Sequence, residues 1–206
     1  MAGVRRFDEM SILDRLALAF WAQGYEATSI EDLERATGLK RQSLYNTFGS
    51  KPEMYLKALD RYGAKLAEPI KAALDHPDPR VALRRLLDLY VGRMADPDCP
   101  AGCLVAGSCQ ELGGRPDDLG KHVADTTRSA EADLTAQFER WCAEGLMKAE
   151  ADPRRLARFF VALVRGMASV HRATAEIDAV RDAADVGFAA VESWLATEPR
   201  QARNRS

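Results

Sequence analysis

The 206-residue chain has no apolar run near the roughly 20 residues that a membrane-spanning helix requires, and no apolar signal core follows Arg5 and Arg6. A cytoplasmic protein with no membrane partner is expected. An excess of charge is also missing. The 29 Lys and Arg are matched by 31 Asp and Glu, a net charge of -2, so any site for a polyanion must be a local patch. Cysteine is sparse: Cys99, Cys103, Cys109 and Cys142 include no Cys-x-x-Cys pair, and His76, His122 and His171 are scattered. No metal site, cofactor or disulfide is expected from that spacing in a chain without a secretory signal. Alternating apolar and polar positions are absent too, which excludes a sheet.

The composition that remains, 47% hydrophobic and 29% charged, is that of a folded chain. Its punctuation is helical. Ile12, Leu16, Ala19 and Phe20 recur at helical spacing up to Gly24. Thr28 and Glu31 read as a capping box for a helix ending near Thr37, and residues 40–47 form a third, short helix. Ser50 and Glu53 make a second box, opening a helix to about Leu74. Further helices are expected over about 80–95, 103–112, 117–143, from Pro153, and over about 178–196. The prediction is an all-α fold of about nine helices. Its parts are an N-terminal three-helix domain over 1–51, a larger helical domain over 52–198 and a polar tail over 199–206.

Residues 28–48 have the dimensions of a helix-turn-helix, whose second helix enters a major groove about 12 Å wide. Leu33, Ala36, Leu39, Leu44 and Phe48 can pack together. The opposite side of the second helix then carries Gln42, Ser43 and Asn46, flanked by Arg41 and Tyr45. Gln and Asn suit adenine, Arg suits guanine, and hydroxyls suit base edges or phosphates. Residues 38–51 hold three bases, Lys40, Arg41 and Lys51, and no acid. Phosphate sites are expected at Thr28 and Ser29 and at Lys51 beside the helix start at Ser50. Tyr45 is either a packed aromatic or a contact to phosphate or base.

Three stretches, Ala27-Thr28-Ser29-Ile30-Glu31-Asp32-Leu33, Thr37-Gly38-Leu39 and Ser43-Leu44-Tyr45-Asn46-Thr47-Phe48-Gly49-Ser50-Lys51, closely resemble the signature of the TetR/AcrR family. The match spans roughly residues 11–62. The resemblance implies a non-enzymatic regulator of transcription and a homodimer of nine-helix subunits. It also implies double-stranded operator DNA as partner and a divergent ligand-binding domain. It places DNA contacts at Thr28, Ser29, Lys40, Arg41, Gln42, Ser43, Tyr45, Asn46, Thr47 and Lys51. Lys40 departs from the pattern: relatives commonly cap the recognition helix there with Ser or Thr, and losing that cap costs about 1 kcal/mol.

In the helix from Pro153, Leu156, Phe160, Leu163, Met167 and Val170 form one apolar seam, with Phe159, Ala162 and Gly166 beside it. The last helix repeats the theme. Phe159, Leu163, Met167, Phe188, Val191 and Trp194 are therefore expected at a dimer interface. Ala101-Gly102-Cys103-Leu104-Val105 resembles a Gly-Cys-Leu segment of one branch of the family, some members of which sense electrophiles or oxidants. Cys103 is then either such a sensor, at a helix start that favours thiolate, or a small core residue. The expected function is a repressor released from a palindromic operator by a small-molecule inducer, or by an electrophile acting on Cys103. The alternative is a thiol enzyme consuming electrophiles or peroxides.

Overall fold

The computed structural model describes residues 8–196; the tail expected at 199–206 lies outside them. Nine helices fill the described chain: α1 (Glu9–Gln23), α2 (Ile30–Thr37), α3 (Arg41–Phe48), α4 (Lys51–Leu74), α5 (Pro79–Met94), α6 (Leu104–Leu112), α7 (Asp118–Ala143), α8 (Pro153–Thr174) and α9 (Ile177–Glu192). A single antiparallel bridge, Met147 to Leu195, is the extent of β-pairing among them. None of these helices is long and apolar enough to cross a membrane.

The termini follow local chemistry. Asp8, Asp78, Asp117 and Asp152 each cap a helix by accepting a backbone N–H, and Pro79 and Pro153 stand in first turns where no donor is needed. The Ser50–Glu53 box forms as expected, but the first box is one residue later. Ser29 and Asp32 exchange side-chain and backbone bonds at 3.1 and 2.8 Å, whereas Thr28 turns inward.

Apolar packing does not break at residue 51. One core gathers α1 to α3, the first two-thirds of α4 through Leu66, and also Leu104, Leu112, Leu119 and Val123 from α6 and α7. A second core joins the end of α4 to α5, α7, α8 and α9. The N-terminal head is thus built partly from side chains that arrive fifty residues later. α4 runs through both cores, with Pro69 inside its second half.

Candidate nucleic-acid interface

The turn between α2 and α3 needs a residue in the left-handed region, and Gly38 supplies it with φ 73° while its N–H returns to the Glu34 carbonyl. Leu33 and Leu44 have no exposed surface and Phe48 has 2%, so the back of α3 is fixed to the head. Arg41, Gln42, Tyr45 and Asn46 face outward, and Ser43 and Thr47 are half-buried on the flanks. Tyr45 is 42% exposed, which leaves its ring available beyond the surface.

The missing cap at Lys40 is replaced from across the turn. Lys40 makes no side-chain capping bond, and the Glu34 carboxylate accepts the Arg41 backbone N–H at 2.7 Å. A negative charge at a helix start also complements the dipole. The Arg41 guanidinium bonds Glu31 and lies 3.9 Å from Glu34. Glu31's own backbone amide, followed by that guanidinium, holds its carboxyl below the ordinary glutamate range. Arg41 is therefore pre-oriented but paired. Lys51 sits with Nζ 4.6 Å from the centre of the Tyr25 ring and 3.3 Å from the Glu26 carbonyl.

One expected contact is corrected. Thr28 is fully buried, and its hydroxyl donates to the Gly24 carbonyl, so it has no side-chain surface to offer a phosphate. Ser29, half-buried, spends its hydroxyl on Asp32. Of the remaining eight residues, Lys40, Arg41, Gln42, Tyr45 and Asn46 are exposed, and Ser43, Thr47 and Lys51 are half-buried.

Sequence reasoning missed the side chains that hold this head to the body. Glu111, at the end of α6, accepts the N–H groups of Tyr25 at 2.8 Å and Glu26 at 2.7 Å. Arg172, near the end of α8, donates to the last carbonyls of α1, those of Trp21 and Ala22, both at 2.8 Å. Arg115 reaches Glu26 at 2.6 Å. Their separations of about 85 to 150 residues carry no local pattern.

Cys103 is the N-cap of α6 and is half-buried, with the Tyr62 hydroxyl donating to its sulfur at 3.4 Å. Burial pushes the Tyr62 phenol well up and Tyr90, whose neighbours include Cys103, to about 12, so both stay protonated. Cys99 is a poor second thiol: burial and then Asp96 push it upward. Cys109 receives a bond from Arg165 and lies 3.7 Å from the Thr127 hydroxyl. His171 is a buried core residue whose Nδ1 accepts the Gly102 N–H at 3.0 Å, which fixes the loop before Cys103. Among the described residues no three His, Cys, Asp or Glu side chains gather as a metal-ligand set.

The expected dimer face also needs correction. Met167 and Val191 are 2% and 1% exposed and belong to the subunit's own core. Leu163 is half-buried, its methyl groups filling the space over Gly187, where an added Cβ would lie 2.2 Å from Leu163 Cδ2. Phe188 is half-buried beneath the Arg84 guanidinium. Phe159 and Trp194 are exposed, as are Val170 and Val186, the latter the most exposed large apolar residue described. The seam read from the sequence rotated slightly: its last member, Val170, points out and His171 points in.

Two family models match the chain. One described as bacterial regulatory proteins, tetR family, covers residues 12–58, and one described as tetracyclin repressor-like, C-terminal domain, covers 79–186. The chain is 30% identical over 174 residues to the HTH-type transcriptional repressor ComR of Escherichia coli, covering 84% of this chain and 83% of that one. It is 26% identical over 194 residues to the HTH-type regulator YezE of Bacillus subtilis, covering 93% and 100%. Among solved structures, a cysteine mutant of the TetR-family regulator CifR in complex with a 26-base-pair operator duplex superposes with a TM-score of 0.82 at 26% identity, covering 91% of this chain and 99% of that one.

Proposed function

The chain belongs to the TetR family of bacterial regulatory proteins and is a DNA-binding regulator of transcription with no enzymatic role, and from that premise we propose that it is a dimeric repressor of a palindromic operator, released by an inducer. The observation that carries this reading is α3, a short helix fastened by Leu44 and Phe48 whose polar side is open. Gln42 and Asn46 stand ready for adenine edges and Arg41 for guanine once it exchanges Glu31 for a base. Lys40 and Lys51 take flanking phosphates.

A single eight-residue helix gives too little contact for tight specific binding, so two copies reading paired half-sites are needed. Phe159, Val170, Val186 and Trp194, with the outer edge of Leu163, supply the apolar face on which α8 and α9 of two subunits meet as four helices. The site of action is the cytoplasm, where operator DNA lies. Release follows by linkage: any agent that favours a misaligned pair of recognition helices weakens DNA binding by the factor by which DNA weakens its own. That agent is a small molecule, or an electrophile that modifies Cys103. CifR, whose structures include cysteine mutants on operator DNA, lends weight to the thiol route.

Selection from randomised duplexes tests the reading. An enriched palindrome is expected, with Gln42→Ala losing about 1–3 kcal/mol at one base pair per half-site and Lys51→Ala weakening all sequences while lowering the salt slope by about one per subunit. Failure to enrich any palindrome overturns it. For the thiol route, release from DNA by electrophiles that persists unchanged in Cys103→Ser makes that cysteine structural.

A further inference from the structure

Helix α3 carries no acid of its own, and both carboxylates beside Arg41 are brought to it from α2. Their duties differ. Glu34 accepts the Arg41 backbone N–H and Asp32 closes the start of α2, so neither helix cap depends on Glu31. The Glu31 side chain is 61% exposed, and its carboxylate bonds the Arg41 guanidinium, itself 54% exposed. We propose that Glu31 is a specificity-determining residue. On DNA, Arg41 and Glu31 give each other up for the two halves of one G·C pair, Arg41 donating to guanine N7 and O6 and Glu31 accepting from cytosine N4.

The edges of the base pairs select the partner. In the major groove a G·C pair presents two acceptors and then a donor, whereas an A·T pair presents an acceptor, a donor and an acceptor. Arg41 and Glu31 together present the complement of the first, because a guanidinium can only donate and an ionised carboxylate can only accept. An A·T pair offers Arg41 no two adjacent acceptors and sets the thymine oxygen where Glu31 needs a donor. Cytosine N4 lies about 3 Å from guanine O6, the length of the bond that joins them. A carboxylate already touching the guanidinium is therefore carried to one base as the guanidinium meets the other. Leu33 of α2 and Leu44 of α3 share one buried core, so the two side chains approach the groove on a common frame.

This role rests on the operator reading above and sharpens it through charge. A carboxylate brought against phosphates is repelled, and while it holds Arg41 it keeps that cation from them. On other sequences Arg41 stays with Glu31 or leaves it without a partner, whereas the G·C pair satisfies both ions at once.

The test uses the full-length protein. Selection from randomised duplexes with wild type and with Arg41→Ala identifies the G·C pair whose preference depends on Arg41. Glu31→Ala is expected to lower the preference for that pair about tenfold and to leave other positions unchanged. It should also steepen the salt slope on random-sequence DNA by about one per subunit, as Arg41 is freed for a phosphate. A chemical probe reads the contact directly. N4-methylcytosine in that pair keeps the hydrogen bonded to guanine and puts a methyl group in place of the one facing the groove. Wild type is expected to bind the methylated duplex about tenfold more weakly, and Glu31→Ala to bind both duplexes alike. The proposal is overturned if Arg41→Ala removes no G·C preference, if Glu31→Ala tightens all sequences equally with that preference intact, or if methylation costs wild type and Glu31→Ala the same. An enriched palindrome whose G·C preference ignores Glu31 overturns this role alone. An enriched site without twofold symmetry that loses its G·C preference in Glu31→Ala supports the role and overturns the palindromic reading, and no enriched site overturns both.

Discussion

Inside the head, the bonds that orient α3 are local. Glu34 caps Arg41 from seven residues away, Ser29 and Asp32 cap α2 from three, and Lys57 reaches the Phe48 carbonyl from nine. Between head and body the bonds are few, charged and distant: Glu111 to the turn after α1, Arg172 to the end of α1, Arg115 to Glu26. The contrast separates two tasks. Local bonds and the burial of Leu44 and Phe48 make the recognition helix a rigid reader, while a handful of directional bonds set where the reader points.

The sharpest way to break that contrast is Glu111→Ala. Two backbone donors lose a charged acceptor, one of them partly buried, and a stability loss of about 2 kcal/mol is expected. Hydrogen exchange should show the Tyr25 and Glu26 amides deprotected while those of α3 stay protected. Operator affinity should then fall although every groove-facing residue is intact. Equal loss of protection in α3 would show that the head has no integrity of its own.

Glu34→Ala probes the other side of the comparison at lower cost. The recognition helix loses the acceptor at its first N–H, worth about 1 kcal/mol. Amide exchange at Arg41 should quicken, with the Tyr25 and Glu26 amides unchanged. Because Arg41 also loses one of its two carboxylate neighbours, its guanidinium gains freedom to swing toward DNA.

The smallest effect concerns Asp14, which ties α1 to α4 through Arg61 at 2.8 Å and Lys65 at 3.1 Å. Burial raises its pKa, but hydrogen bonds from Arg61 and then Lys65 outweigh it and hold the carboxyl below its ordinary value. A depressed folded value means the contribution is complete above the ordinary aspartate range and is lost as pH falls through the depressed value. Acid titration of thermal stability should show a loss in that window that Asp14→Asn removes.

Much of this was legible from residue order. All nine helices fall within a few residues of the expected positions, because Asp and Ser caps, first-turn prolines and terminal glycines act on their own neighbours. The α3 face was equally readable, since Leu44 and Phe48 fix its rotation. What failed had two physical origins. Thr28 and Ser29 are both competent caps, and only the path of the chain after Gly24 decides between them. Met167 and Val191 carry the same apolar signal as Phe159 and Trp194, but which of two apolar stripes turns inward depends on the neighbouring helix. Glu111 and Arg172 had no sequence signature, because each joins segments far apart along the chain.

The bonds from Glu111 and Arg172 bear on how such proteins can be recombined. A head grafted from a relative would arrive with its own reading residues, but its orientation would depend on amides near position 25 and carbonyls near position 21 meeting a carboxylate and a guanidinium that belong to the recipient. Interchangeability of parts is thus limited by side chains outside the transplanted piece, and a chimera that ignores them would carry the right alphabet on a misaligned hand.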